Sequence, residues 1–429
     1  MLTRIKIVKL FDLFDYNIEL KEEGITILTG PNGYGKTTVL KILDALAVKN
    51  GLFFVKLPFQ EISFTFEKGT VTIEKINENE IQVKAPHAVK HSIIFSKKKI
   101  IEVLRDRFPF LHAVGEDRWM DHSSGRTFDI ETLQKDDSAF FPGSLDNLLS
   151  IKIPIFLDVY LIREQRLLRP IKYDSQRRIS PLGGYNYADE KKIDAFTKTI
   201  EEYAKELQDI IEKILAKSSQ VSQKLDSSFP HRLFTQKQEV SNREFDKRFS
   251  RVKKTQAALG RYGLSDIKED SHPTYKPENA KALYVYINDM EKKLAVFSSF
   301  LEKIKIFTDI LNERRFAFKR INISKEHGFK FSTVDGKPLA LGDLSSGEQQ
   351  EVVLFYELLF KVKPGTLVLI DEPEISLHVA WQKQFLDDLF KIIKLQKINV
   401  IIATHSPQII NDHWDLTVDL EEISQCGSI

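Results

Sequence analysis

Gly30, Pro31, Asn32, Gly33, Tyr34, Gly35, Lys36 and Thr37 follow one another as G-x-x-x-x-G-K-[ST]. The spacing suits phosphate. Glycines let successive backbone N–H groups curl around an anion, and a helix beginning at the lysine adds its positive end. In such a turn Lys36 bridges β- and γ-phosphate oxygens, the Thr37 hydroxyl ligates Mg²⁺, and Thr38 continues the first helical turn. A second chemical stretch runs from Thr366 to Pro373, an apolar strand ending in two acids. The end of a buried strand is a fixed place for carboxylates. Asp371 there holds Mg²⁺ through water, and Glu372 positions and deprotonates an attacking water.

A third stretch, Leu344-Ser345-Ser346-Gly347-Glu348-Gln349, resembles the L-S-G-G-Q signature of ATP-binding cassette (ABC) proteins. Its serine and glycine open a helix whose N-terminus can face a γ-phosphate. Ser346 replaces the usual first glycine, which is nearer the chromosome-maintenance branch than the transporters. Three other segments are similar to the same family in the same order. Ile401 to Pro407 resembles its strand-end histidine, which implies that His405 reaches the γ-phosphate. Ser376-Leu377-His378 resembles its D-loop, which crosses the dimer interface. Gln165, after an apolar strand, fits its Q-loop and is implied to coordinate Mg²⁺ and the nucleophilic water. Phe11, Phe14 and Tyr16 read as core rather than as adenine contacts.

These residues need a scaffold of parallel strands and helices. The pattern predicts strands over residues 5–20, 24–29, 151–162, 366–370 and 400–403, and a helix over 37–48. Residues 51–89 alternate as β, with a hairpin at Glu67-Lys68-Gly69. Two heptad seams follow: Ile193, Phe196, Ile200, Tyr203, Leu207, Ile210, Ile214, and then Leu283, Ile287, Met290, Leu294, Phe297, Leu301, Ile304. Two helices of about 38 residues, each ~57 Å long, are expected to pair antiparallel as one hairpin. A further helix is expected near Arg243 to Leu259, and a polar loop from Gly260 to Pro277. The organisation expected is an α/β ABC ATPase head, of P-loop type, split by an inserted helical antiparallel coiled coil. Its parts are 1–188 (N-terminal half of the head), 189–315 (the arm) and 316–429 (C-terminal half).

The resemblance implies ATP and Mg²⁺ as ligands, hydrolysis to ADP and phosphate, and a head-to-tail dimer that sandwiches ATP between the P-loop of one copy and the signature of another. A large insertion is similar to the SMC, RecF and OLD relatives, and Glu372 to His378 is especially similar to OLD-like and phage-defence ATPases. The chain ends soon after His405, so the nuclease domain of OLD proteins is expected on a separate chain. The size resembles the AriA-like ATPase subunit of PARIS-type anti-phage pairs, with a Toprim-like partner. The alternative is a PtuA-like ATPase of Septu systems, with an HNH partner. A phage trigger protein is a further implied partner, and a RecF-like DNA repair ATPase is the competing function.

Composition narrows the classes. A net charge of +2 gives no whole-chain case for a nucleic-acid-coating protein, nor for an acidic disordered one. A lone cysteine, Cys426, rules out an intramolecular disulfide, a Cys-based zinc site and a Cys-x-x-Cys hook, in keeping with a cytoplasmic location. Charges at Arg4, Lys6, Lys9 and Asp12 break up any signal-peptide core, and no apolar run has membrane-spanning length, so no membrane is expected. Two basic stretches remain, Arg163, Arg166, Arg169, Lys172, Arg177, Arg178 and Arg243, Lys247, Arg248, Arg251, Lys253, Lys254. They read first as solvated or internally paired, and second as contacts for nucleic acid.

Overall fold

The computed structural model describes residues 1–86, 93–98, 101–102, 105, 111–115, 118–121, 125, 127–129, 157–162, 188–265, 274–316, 318–375 and 377–425. Gln165, Ser376, Cys426 and the basic run 163–178 lie outside the described residues. The described chain divides into two compact units. One comprises 1–164, 363–375 and 397–429, and the other 165–362 and 376–396.

The first unit begins with a hairpin, β1 (Leu2–Leu10) and β2 (Phe14–Glu19), then β3 (Ile25–Thr29) and helix α1 (Lys36–Ala47). Residues 51–56, read as β from sequence, instead form α2 (Gly51–Lys56). Six residues are too few for periodicity to separate helix from strand. Asn50 decides it, because its side chain accepts the Phe53 N–H and caps the turn. The expected hairpin follows as β4 (Glu61–Phe66) and β5 (Gly69–Asn77), with Phe66 opposite Gly69. With β6 (Glu80–Lys84) and β7 (Ile93–Ser96) these make a six-stranded antiparallel sheet, β2-β1-β4-β5-β6-β7. A small sheet of β8 (Leu111–Ala113), β9 (Arg118–Asp121) and β10 (Thr127–Asp129) seats Trp119 in the core. Of the strand expected over 151–162, the described part is β11 (Val159–Ile162).

The second unit opens with α3 (Ala188–Thr235), 48 residues long and so longer than expected. Then come α4 (Asn242–Arg261), α5 (Ala280–Ala295) and α6 (Ser298–Ile310). Val296 and Phe297 interrupt what the second heptad seam predicted as one helix. The two seams do not pair along their length. Among the described side chains of α3 the buried apolar ones are Ile200, Tyr203, Ala204, Leu207 and Ile211, whereas Ile210 and Ile214 are half-exposed. A 3–4 apolar repeat marks any helix that buries one face, whatever it faces. Here the face lies on a three-stranded sheet, β12 (Lys319–Ser324), β13 (Gly328–Thr333) and β14 (Pro338–Leu339), and on α7 (Ser346–Tyr356). Tyr203 stacks on Tyr356 with ring centroids 4.5 Å apart, and its hydroxyl bonds to Glu357.

Antiparallel pairing of α3 is with α5, near the end of α3. Lys293 holds Asp226 at 2.8 Å and Arg232 holds Asp289, so position rises on one helix as it falls on the other. Between α4 and α5 a separate small core forms from Val240, Phe245, Phe249, Val252, Leu283 and Ile287.

The chain then completes the first unit's central sheet. β15 (Leu367–Asp371), β16 (Asn399–Ala403) and β17 (Thr417–Asp419) join β3 and β11 in the parallel order β11-β15-β16-β3-β17. Between β15 and β16 the chain visits the second unit with α8 (Val379–Gln382) and α9 (Phe385–Gln396), and α10 (Pro407–Ile410) and α11 (Leu420–Gln425) follow. One core holds Leu28, Leu367, Leu369, Ile401 and Ala403 of this sheet, Ile5, Ile62, Phe64 and Ile73 of the antiparallel sheet, and Val39, Leu40, Ile42, Leu43 and Leu46 of α1. A helix that is apolar on most sides is one meant for burial, and α1 is built that way.

Candidate active site

Four parallel strands of the first unit end together. Register sets Asp371 beside Ala403, Ala403 beside Leu28, and Thr29 beside Asp419. The ladder fixes strand ends, while the turns beyond them are free to carry chemistry, so this end of a parallel sheet is where ligands sit. The turn after β3 supplies Gly30 to Gly35. Gly30, Gly33 and Gly35 have φ of +127°, +91° and +78°, a region that a β-carbon disfavours. α1 starts beyond Gly35 with no side-chain cap and no acid in its first turn. Its first N–H groups therefore suit an anion rather than a capping side chain.

Lys36 is 5% exposed. Its Nζ donates to the carbonyls of Gly30 at 2.9 Å and Pro31 at 3.2 Å, and stands 3.4 Å from His405 Nδ1. Burial lowers its pKa, against the raising effect of Glu372, Asp371 and Glu374. Thr37 Oγ1 donates to Asp371 Oδ1 at 3.0 Å. Glu372 lies just past β15 with φ +44°, held by its N–H on the Ala403 carbonyl at 2.9 Å. Backbone strain of that kind collects at functional sites. Its Oε1 is 3.3 Å from His405 Nε2. Burial, and then a hydrogen bond and repulsion from Glu374, push the Glu372 carboxyl up to about 7, with Lys36 opposing.

His405 has its pKa lowered by burial and by Lys36, which favours the neutral ring. An ammonium only donates, so Nδ1 must accept from Lys36. The ring proton then sits on Nε2, facing Glu372.

Of the residues singled out from sequence, the structure brings together Gly30 to Thr38, Asp371, Glu372 and His405. Tyr16 and Phe14 back this turn rather than open onto it. Tyr16 is buried and donates to the Tyr34 carbonyl at 2.7 Å, and the rings of Phe14 and Tyr34 are 5.3 Å apart. In the second unit, Ser345 to Glu348 form the start of α7. Ser345 Oγ accepts the Glu348 N–H at 3.3 Å, and the Ser345 N–H donates to Glu348 Oε2 at 2.7 Å. This reciprocal cap fixes the turn. Lys319 Nζ adds a bond to Glu348 Oε2 at 2.7 Å. Burial works against ionised Glu348, but the bonds from Lys319 and Ser345 prevail and its pKa is lowered. Ser346 stays exposed at the helix start.

Sequence reasoning passed over three acids. Glu374 takes Thr404 Oγ1 at 2.7 Å, Asp419 takes Thr29 Oγ1 at 3.2 Å, and Glu421 takes the Tyr34 hydroxyl at 3.1 Å. For Glu374 a signal existed, a second carboxylate two residues after Glu372. For the other two there was none.

The residues fit a nucleoside triphosphate with Mg²⁺. A buried ammonium faces a glycine turn, and a hydroxyl and a carboxylate meet beside it as hard oxygen donors. Among the described residues no group of three or more His, Cys, Asp or Glu is arranged to hold a metal alone. Mg²⁺ at such a site draws further ligands from phosphate and water.

Residues 25–411 match the family model described as "AAA domain, putative AbiEii toxin, Type IV TA system". The chain belongs to this family. Families of this kind use ATP with Mg²⁺. The chain is also 30% identical over 86 residues to the "Probable iron chelatin transport ATP-binding protein" of two Helicobacter pylori strains. That stretch is 20% of this chain and spans 32%, about a third, of those relatives.

Among solved structures, the SMC head domain with an extended coiled coil bound to the C-terminal domain of ScpA, from Pyrococcus furiosus, is 14% identical. It covers 95% of this chain and 90% of its own, with a TM-score of 0.35. An SMC head bound to the C-terminal winged-helix domain of ScpA is 13% identical over the same shares, also with a TM-score of 0.35. Among the described residues no helix is long and apolar enough to cross a membrane.

Proposed function

We propose that this chain binds ATP with Mg²⁺ on the 30–38 turn, hydrolyses it, and uses the cycle as a cytoplasmic sensor and scaffold in anti-phage defence. The observation that carries the ATPase reading is the convergence of Lys36, Thr37, Asp371, Glu372 and His405 at the carboxyl end of one parallel sheet. Lys36 and the N–H groups of the glycine turn hold phosphate oxygens. Thr37 and Asp371 hold Mg²⁺, which when bound offsets negative charge on the phosphates. Glu372 orients a water and takes its proton, while His405 keeps its Nε2 proton toward that carboxylate. Gln165 is assigned to the same water. Ser345, Ser346, Gly347 and Glu348 are offered to the nucleotide of a second copy, which makes the working unit a head-to-tail dimer or a higher homo-oligomer.

The test is nucleotide binding and phosphate release by purified protein. Lys36→Ala should lose ATP binding. Glu372→Gln should keep it and lose turnover by about 10²- to 10⁴-fold, the usual worth of a general base. Wild-type turnover in Glu372→Gln would sink the assignment.

The defence role draws support from the family description, which speaks of a toxin and a Type IV TA system. It also draws on the likeness of Glu372 to His378 to phage-defence ATPases. The partner is a separate nuclease, Toprim-like in an AriA-type pair or HNH in a PtuA-type pair, released when a phage protein acts as trigger. Co-purification with the product of the adjacent reading frame tests it. A neighbour with no nuclease chemistry and no association would count against it.

One feature favours the RecF-like reading. Arg243, Lys247, Arg251 and Lys254 are exposed along α4, whose other face packs into the small arm core. ATP-dependent DNA binding that weakens steeply with salt, and weakens again when these four are neutralised, would favour that reading.

A further inference from the structure

Glu374, whose carboxyl bears on Glu372, also holds together the two turns that carry the chemistry. It lies past β15, and its Oε1 accepts two hydrogen bonds from the residues just past β16. Thr404 Oγ1 donates at 2.7 Å and the His405 N–H at 2.9 Å. Thr404 is fully buried, its N–H donates to the Leu28 carbonyl at 3.2 Å, and its Oγ1 also accepts the Ser406 N–H at 3.0 Å. The carboxylate thus grips a backbone already tied to the strand that leads into the glycine turn. His405 projects from this grip to stand 3.4 Å from Lys36 and 3.3 Å from Glu372.

We propose that Glu374 is a positioning residue for ATP hydrolysis, holding the His405 backbone so that its imidazole bridges Lys36 and Glu372. The proposal rests on the ATPase reading and deepens it. An acceptor oxygen is what the two donors require, and leaving the hydroxyl of fully buried Thr404 without one is costly. Glutamine keeps an oxygen at that place, whereas alanine removes it. A misplacement of about 1 Å near reacting groups can cost about 10²-fold in rate.

The experiment compares Glu374→Ala and Glu374→Gln with wild type by kcat, KM for ATP, melting temperature and amide exchange at His405. Glu374→Ala should lower kcat by about 10²-fold with KM little changed, and should speed exchange of the His405 amide. Glu374→Gln should recover most of the rate and the protection. Equal damage from glutamine and alanine would overturn the proposal, because charge rather than the acceptor would then be at work. So would a wild-type kcat in Glu374→Ala.

Should Glu374→Ala fail to fold, Thr404→Val removes one of the two bonds and should give a smaller loss of kcat at unchanged KM; no loss would overturn the proposal. Failure of the ATPase reading looks different. Wild type would then bind ATP without releasing phosphate, or Glu372→Gln would turn over normally, and the role of Glu374 would fall with it.

Discussion

His405 stands between a cation and a carboxyl whose preferences oppose each other, and that places its one ring proton. Burial, with Lys36 on the Nδ1 side, keeps the ring neutral, and Glu372 on the Nε2 side accepts the hydrogen bond from the ring proton. Replacing His405 with Gln removes the bridge but leaves the glycine turn intact, so kcat should fall in a phosphate-release assay while ATP affinity measured by calorimetry holds. Asp371 is a different case. Its partner at 3.0 Å is Thr37 Oγ1, so its effect should be on the cation. Asp371→Asn should raise the Mg²⁺ concentration for half-maximal turnover by about 10- to 100-fold, the scale seen when a metal's supporting carboxylates are lost. A titration of turnover against Mg²⁺ checks it, and an unchanged midpoint would remove Asp371 from the metal.

The elements of the second unit set tolerances that the motifs do not reveal. Gly328, which opens β13 after the turn from β12, has φ +68°, and a β-carbon there would overlap the Ala204 carbonyl oxygen of α3. Gly328→Ala should destabilise by about 1–3 kcal/mol through overpacking against backbone, visible as a lower urea midpoint. The arm has its own pH response. Arg248 holds Glu291 with bonds of 2.9 and 2.5 Å, and that hydrogen bond, against burial, lowers the Glu291 pKa below its ordinary 4.5. A depressed carboxylate adds stability that is full above its unfolded value and lost as pH falls through the folded one. Amide protection in α4 should therefore decline once pH drops below about 4.5. Arg248→Met should lower protection at neutral pH and remove the Glu291-linked part of the decline, as exchange measured by mass spectrometry would show.

Across the whole molecule, the central sheet draws neighbours from distant parts of the chain, in the order β11-β15-β16-β3-β17. The nucleotide turn and the capped start of α7 belong to different compact units. If they meet in trans, Glu372→Gln with ATP should double in mass by light scattering, and Ser346→Arg, at an exposed position, should prevent this without lowering the melting temperature. A monomer under both conditions would refute the sandwich.

Much of the α/β reading was open in the sequence because each motif is contiguous. A glycine turn before Lys36, or two acids after an apolar strand, needs only its own few residues to announce its chemistry. The 3–4 repeat on α3 was legible as a buried stripe, but its partner was not, since a helix presents the same spacing to a sheet as to another helix. Nor was Gly51–Lys56 legible, because one turn of apolar residues has no period to read. The contacts that hold the site together were equally hidden, even where a residue such as Glu374 stood out beside Glu372. Glu374 meets His405 across 31 residues and Tyr34 meets Glu421 across 387. Spacing along a chain carries local backbone geometry, whereas contacts of that range exist only once strands have paired. The residues that could act on a phosphate were therefore written in the primary order, and which side chains hold them in place emerged from the pairing of β3, β15, β16 and β17.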